Sequence, residues 1–482
     1  MTGFATRQVH ARSTGRDDAG HATGTSGTAP SGTAPSGTAP SGTAPPGTAP
    51  PGRGVPSRVV PRATPVYLTA GFEFEEWEQA VGHFGAGEGF AYTRTGNPTT
   101  AAVEQRIAAL EGGADALFLA SGQAAVTVAL LGLVAAGQRV LAASSIYEGT
   151  RGLLLENLPR LGIEADFVDD AADPAAWARA IRPETRVLFL ESIPNARNDL
   201  PDLAAVADVA HAHGLALVVD NTLATPYLLR PIEHGADVVV HSASKFLAGH
   251  GSVLGGVVVD AGTFDTRTAG ALYPHLVAAS RTGGPGRAER HGGLARLAYL
   301  RETVAPRFGP TPSPLNAFLV GQGIETLSLR VARQSASALE VARWLAFRPE
   351  VASVDYSGLD SSPSHALAKR YLPDGQGSVF TFTLHGGAPA ARALVEAVQV
   401  FTHMTHIGDV RSLVLHPEST SHVLRTPAER AASGIHPGTL RLSVGIEDLP
   451  DLIADLDRGL AAARRAAGPG AADASTTRKE TP

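Results

Sequence analysis

From residue 98 to residue 260 the chain alternates between two kinds of apolar pattern. Pro98-Thr99-Thr100 opens a segment in which Val103, Ile107 and Leu110 fall on one helical face, and Gly112-Gly113 closes it. A second apolar helix is predicted over 120–136, ended by Gly137. Short unbroken apolar runs then recur at 139–143, 165–168, 187–190, 215–219, 238–241 and 253–259, with helical patterns over about 149–161, 174–182 and 202–213 between the first four. Strands that are apolar on both sides and separated by helices predict a mostly parallel sheet covered on both faces, an α/β body.

The pattern changes beyond residue 310. A long amphipathic helix is predicted over about 314–347. Segments 351–356 and 379–384 alternate as strands with one solvated face, and helices are predicted near 388–400 and 450–466. This reads as a smaller α+β domain. Residues 261–310 carry little periodicity, and the stretch RTGGPGRAERHGG reads as a loop by composition. Residues 26–50 are five pentads, SGTAP four times and then PGTAP, which cannot bury enough surface to offset ordering entropy. The predicted organisation is therefore a disordered extension over 1–57, an arm and large domain over 58–311, a small domain over 312–467 and a disordered tail over 468–482.

Net charge is −6 over 482 residues, and residues 1–60 carry a local +3, so the body is acidic and has no global field for nucleic acid or an anionic membrane. The chain has no cysteine, which excludes disulfides, Cys-ligated zinc, iron–sulfur clusters and thiolate nucleophiles. No apolar run is long enough to span a bilayer, and the N-terminus lacks a secretory apolar core, so a cytoplasmic enzyme is expected. Only three of the 40 basic residues are lysine: Lys245, Lys369 and Lys479. Where arginine serves everywhere else, a lysine inside an apolar, glycine-rich stretch suggests amine chemistry.

Four features fall where an open α/β sheet places ligands, at the carboxyl ends of strands. The turn Ala120-Ser121-Gly122-Gln123-Ala124-Ala125 leads from a strand-like run into a helix, whose first N–H groups suit a phosphate. Strand LALVV ends in Asp220-Asn221-Thr222, and a desolvated acid there needs a cation, for which a protonated ring nitrogen of a cofactor is a candidate. Strand VVVHS runs into Ser242-Ala243-Ser244-Lys245-Phe246, one crossover later. There an amine lowered by burial can form a Schiff base, and the two serines can bond phosphate oxygens. Arg441, in TLRLSVGIED, can grip a carboxylate. Each has a plain structural alternative, respectively an ordinary turn, a helix cap, a paired structural lysine and a surface ion pair. Together they describe pyridoxal 5'-phosphate and an amino-acid substrate. Glycine-rich GAGEG and GHGSVLGG lack the spacing and context of a dinucleotide-binding turn. His211 and His213, two apart in the last turn of a helix, do not converge on a metal; His403 and His406 read as loop residues near the active cleft rather than a metal site, and His241 and His250 flank the lysine turn, where they can orient it.

Tyr92-Thr93-Arg94, Asn97-Pro98-Thr99, the SGQAA turn, Tyr147 in IYEGT, the run VVDNTLATPYLLRPIEHGADVVVHSASKFLAGHG and RLSVGIED carry a family pattern. From about Pro61 to about Arg465 the chain resembles the Cys/Met-metabolism pyridoxal-phosphate enzymes, of the aspartate-aminotransferase-like fold (fold type I), and within them the O-acetylhomoserine sulfhydrylases. The resemblance implies that Lys245 holds the cofactor aldehyde and shuttles protons, Asp220 pairs with the ring nitrogen, and Tyr147 stacks on the ring and acts in proton transfer near the leaving group. It implies that Gly122, Gln123, Ser242 and Ser244 hold the phosphate, with Thr222 also in the cofactor site. Tyr92 and Arg94 would reach a neighbouring subunit's phosphate, making the active unit a homodimer within a tetramer. Arg441 would bind the substrate carboxylate, helped by Asn195 and the backbone at Ser412. The implied reaction is γ-replacement on O-acetyl-L-homoserine by sulfide or a thiol, giving homocysteine or methionine, with a γ-lyase, a cystathionine synthase or another nucleophile as alternatives. Glu148, where the family has Gly, and Thr405 depart from the pattern near where substrate or nucleophile would arrive, and bear on specificity rather than on cofactor use.

Overall fold

A computed structural model describes residues 3–10 and 61–467, apart from 196, 264, 266–268 and 282. Residues 3–10 and 66–467 belong to one compact unit. Its larger sheet has seven strands: β1 (Asp115–Leu119), β2 (Arg139–Ala143), β3 (Glu164–Val168), β4 (Thr185–Glu191), β5 (Ala216–Asp220), β6 (Val238–Ser242) and β7 (Gly256–Asp260). Their spatial order is β1-β7-β6-β5-β4-β2-β3. Only β7 runs antiparallel, to β1 and to β6; the other adjacent pairs are parallel. The strands are apolar on both faces because helices cover both: Val187 through Leu190 and Ala216 through Val219 are fully buried.

The second sheet comprises β8 (Val351–Asp355), β9 (Val379–Leu384), β10 (Thr402–His403), β11 (Leu413–Leu415) and β12 (Thr439–Ser443), in the order β10-β11-β12-β9-β8. Helices Gly387–Ala397 and Leu449–Ala467 pack together over its apolar face, around Phe380, Phe382, Leu440 and Leu442.

Three expectations are corrected. The single helix over 314–347 is two, Pro314–Ile324 and Leu327–Ala346. The break falls where the buried Arg330 guanidinium donates to the Gly323 carbonyl at 2.7 Å, closing the first helix from the side. The RTGGPGRAERHGG stretch contains the helix Arg287–His291, tied down by Arg287 and Arg290 on Glu302. Finally, the extension expected to lack structure contains a helix, Phe4–His10. Gln8 exchanges two hydrogen bonds with Ser328, and Phe4 stands edge-on to Tyr227 at 5.3 Å, which supplies the tertiary partner a seven-residue helix needs. Residues 11–57, with the pentads, and the tail 468–482 lie outside the described residues.

Candidate active site

The carboxyl ends of β4, β5 and β6 lie side by side, and the chain leaves each through a turn that carries chemistry. Asp220 closes β5 directly beside Glu191 at the end of β4. Thr222 donates its hydroxyl and its N–H to Asp220 Oδ1 (2.5 and 3.0 Å), and its hydroxyl accepts the Ser242 N–H at 2.8 Å. One threonine thus locks the β5 turn to the β6 turn. Beneath it, buried Glu111 accepts from Asn221 at 2.9 Å and lies 2.5 Å from His241 Nε2.

Both strand-end acids are pushed up. Burial raises Asp220, although its two bonds from Thr222 oppose the shift. Burial and the neighbouring Asp220 raise Glu191 further. No described lysine or arginine forms an ion pair with either, so the site holds an uncompensated acid pair that a cationic ring nitrogen would relieve.

Lys245 lies three residues beyond β6, where the turn doubles back on itself. Ser244 Oγ accepts the Gly255 N–H at 3.0 Å, and Arg330 donates to the Phe246 carbonyl at 2.8 Å. Burial, reinforced by the charge of Arg441, pushes the Lys245 amine down to about 8, so a far larger neutral fraction exists near physiological pH than for an ordinary lysine, although the ammonium still predominates. Its Nζ is 3.1 Å from His406 Nδ1.

The cradle beside it comes from the helix Gly122–Leu131. Ser121 caps it by accepting the Ala124 N–H, leaving the earlier N–H groups at Gly122 and Gln123 without carbonyls in the preceding turn. Gly122 presses onto Ser242: a Cβ added there would stand 2.6 Å from Ser242 Cβ and 2.8 Å from its Oγ. Only glycine allows this approach. Phosphate donors, a pair of acids and a reactive amine converge, and they fit pyridoxal phosphate.

Opposite, Arg441 on β12 is buried at 5% exposure. Its guanidinium donates to the Thr405 carbonyl at 2.8 Å and reaches Asn195 Oδ1 at 3.5 Å, without a described carboxylate partner. Burial brings it down to about 10, still cationic at neutral pH. Glu191 joins the two sides: one oxygen accepts the Tyr147 N–H at 2.5 Å and the other the Asn195 N–H at 3.3 Å. Tyr147 is half-exposed, and its ring and the Gln123 amide oxygen both press on Gly149: a Cβ there would meet Tyr147 Cε1 at 2.5 Å and Gln123 Oε1 at 3.1 Å.

Two of the expected site residues are engaged within the chain. The Ser412 N–H and hydroxyl donate to Glu447 (2.6 and 2.9 Å). The Ser244 hydroxyl is buried and paired with Gly255. Tyr92 and Arg94 stand on the arm, where Arg94 donates to the Pro306 carbonyl at 2.7 Å and lies over the Tyr92 ring; no described bond joins them to Lys245, Asp220 or Ser242 within the chain.

Several residues escaped the sequence reading. Glu191 carries the same signal as Asp220, an acid ending an apolar strand. Arg330 and Glu447 carry none, since the Phe246 carbonyl and Ser412 that they hold lie far away in sequence. Glu148, the departure from the family pattern, is ion-paired with Arg425 and lies 3.4 Å from His422. Beside it opens a pocket of about 370 Å³ lined by Ser144, Arg151, Asn195, Arg197, His422 and Arg425 among others. No metal-binding cluster occurs among the described residues, and none of their helices is long and apolar enough to cross a membrane.

The sequence profile of the Cys/Met metabolism PLP-dependent enzymes matches residues 54–461, and the chain belongs to that family. Pyridoxal phosphate is its cofactor and the fold is fold type I. The chain is 40% identical over 421 residues to O-acetyl-L-homoserine sulfhydrylase of Leptospira meyeri, covering 83% of this chain and 92% of that one. It is 41% identical over 414 residues to the O-acetyl-L-homoserine sulfhydrylase of Corynebacterium glutamicum, covering 83% and 93%. A crystal structure of a putative O-acetylhomoserine (thiol)-lyase from Campylobacter jejuni, containing N'-pyridoxyl-lysine-5'-monophosphate, superposes with a TM-score of 0.80 at 32% identity, covering 83% of this chain and 96% of that one.

Proposed function

We propose that this enzyme carries out γ-replacement on O-acetyl-L-homoserine, exchanging acetate for sulfide or a thiol to give homocysteine or methionine. The observation that carries this reading is the buried Arg441 guanidinium, without a carboxylate partner, facing the same site as the lowered Lys245 amine. Arg441 and Asn195 bind the substrate α-carboxylate. Lys245 holds the cofactor before substrate arrives; Asp220 faces its ring nitrogen, Tyr147 covers its ring, and Gly122, Gln123 and Ser242 bind its phosphate, with Thr222 holding Asp220 in place. Bound there, pyridoxal phosphate supplies the electron sink that makes the substrate Cα and Cβ protons removable. Lys245, once free, accepts the Cα proton, hands it on to the cofactor-bound substrate and, neutral again, accepts a Cβ proton; the first proton is recovered by the same route for its later return to Cα. Acetate leaves Cγ with the C–O electron pair, the sulfur adds at Cγ, and Lys245 returns protons to Cβ and Cα.

The pocket beside Glu148 favours a second reading, in which the nucleophile is larger than sulfide. A charge-lined space of about 370 Å³ exceeds what hydrosulfide requires. Product analysis of O-acetylhomoserine with sulfide, with cysteine and with neither separates the readings. Homocysteine formed only with sulfide supports the first, and cystathionine formed preferentially supports the second. 2-Oxobutyrate accumulating regardless of nucleophile overturns both in favour of a lyase.

The enzyme acts in this reading as a cytoplasmic homo-oligomer, with Tyr92 and Arg94 completing a neighbouring subunit's phosphate site. Inactive Lys245→Ala and Arg94→Ala chains, unfolded and refolded together at equal amounts, should then recover about a quarter of wild-type activity, because half the dimers are mixed and each mixed dimer has one intact site. No recovery, with mixed dimers shown to form, would place both residues in one chain's site.

A further inference from the structure

We propose that His406 is a positioning residue for Lys245: its imidazole accepts a hydrogen bond from the Nζ amine and so fixes where the amine's lone pair faces. The inference rests on Lys245 being the reacting amine, as proposed above. His406 Nδ1 is the described side-chain partner of Nζ, at 3.1 Å, and no carboxylate pairs with that amine. A carboxylate would hold the lysine as an ammonium. A neutral acceptor orients it and leaves it free to lose its proton.

The imidazole is neutral at working pH. Burial, then the facing charge of Lys245, brings it down to about 4; Arg441 acts in the same direction, and Asp409 and a backbone hydrogen bond at Ser244 oppose them. Asp409 is itself committed to Arg411 at 2.9 Å. With Nδ1 accepting, the ring proton sits on Nε2, which is buried.

The loop around it is held from three sides. Arg441 donates to the Thr405 carbonyl at 2.8 Å, Ser443 Oγ accepts the Gly408 N–H at 2.9 Å, and Gln334 donates to the Asp409 carbonyl at 2.8 Å. Gly408, at φ +71°, backs onto Phe246, the residue after the lysine: a Cβ there would meet the Phe246 nitrogen at 2.8 Å. His406 is therefore presented to Nζ by backbone that is fixed both to the substrate clamp and to the lysine turn.

The test uses full-length wild type, His406→Phe and His406→Asn. In the apoenzymes, trace acetylation of Lys245 across neutral to alkaline pH, followed by mass spectrometry, reads the amine's protonation directly. The wild-type midpoint is expected near about 8. Loss of the acceptor in His406→Phe removes a bond that favours the ammonium, so its midpoint falls by roughly one pH unit, and Asn, which keeps an acceptor, restores it. In the holoenzymes, kcat falls roughly 10- to 100-fold in His406→Phe with little change in KM, and Asn recovers most of it. An unchanged midpoint in His406→Phe, or equal losses in the Phe and Asn variants, overturns the proposal. Should His406→Phe fail to fold, His406→Ala takes its place under the same criteria. The acetylation readout needs no substrate, so failure of the proposed reaction leaves it decisive.

Discussion

Replacing Lys245 by alanine lowers kcat by at least about four orders of magnitude, because one amine serves both as the cofactor's covalent anchor and as the proton carrier. Acetate or homocysteine release measures the loss, and the visible absorbance of lysine-bound cofactor disappears with it. The variant should fold, because nothing in the turn depends on the side chain. Ser244 and Gly255 bond each other, Arg330 holds the Phe246 carbonyl, and Thr222 holds Ser242. Added methylamine supplies the missing base and should restore a small part of the rate. A Lys245→Ala protein with undiminished turnover defeats the assignment of the amine.

Replacing Arg441 by alanine produces the second large effect, a fall in kcat/KM for O-acetylhomoserine of roughly 10²- to 10³-fold, the range for losing one partner of a buried charge pair. Lysine recovers little of it, since one ammonium cannot match the planar fork that reaches both the Asn195 side and the Thr405 carbonyl. The pH dependence follows from burial. With the guanidinium brought down to about 10, carboxylate binding persists through neutral pH and weakens as pH rises through that value. An Arg441→Ala enzyme with unchanged KM and kcat would move the carboxylate elsewhere, the Arg151–Arg425 pocket being the obvious alternative.

The large sheet was legible because its strands are short, apolar on both faces and punctuated by glycine. Strand β2 was placed to the residue, and β5 and β6 within one. The lysine, the acid and the glycine cradle were legible for a related reason: each follows such a strand, where the sheet itself dictates that a ligand can approach. What stayed hidden was set by contacts between distant segments. β10 has two residues and β11 three, too few for alternation to register. The break at 325–326 depends on a guanidinium one turn later, and the Phe4–His10 helix on a glutamine that meets a serine 320 positions away. Glu148 illustrates the limit most clearly: the sequence marked it as unusual, but only the fold supplies Arg425 and His422 as its partners.

The helix Leu327–Ala346 touches the segments that carry both members of the amine–imidazole pair. Through Arg330 it grips the turn that carries the lysine, and through Gln334 the loop that carries the histidine. Because Arg330 and Gln334 lie one turn apart on a single helix, the spacing of amine and imidazole is set by one continuous element rather than by two independent loops, and a substitution that loosened either anchor would disturb the pair from outside the pocket.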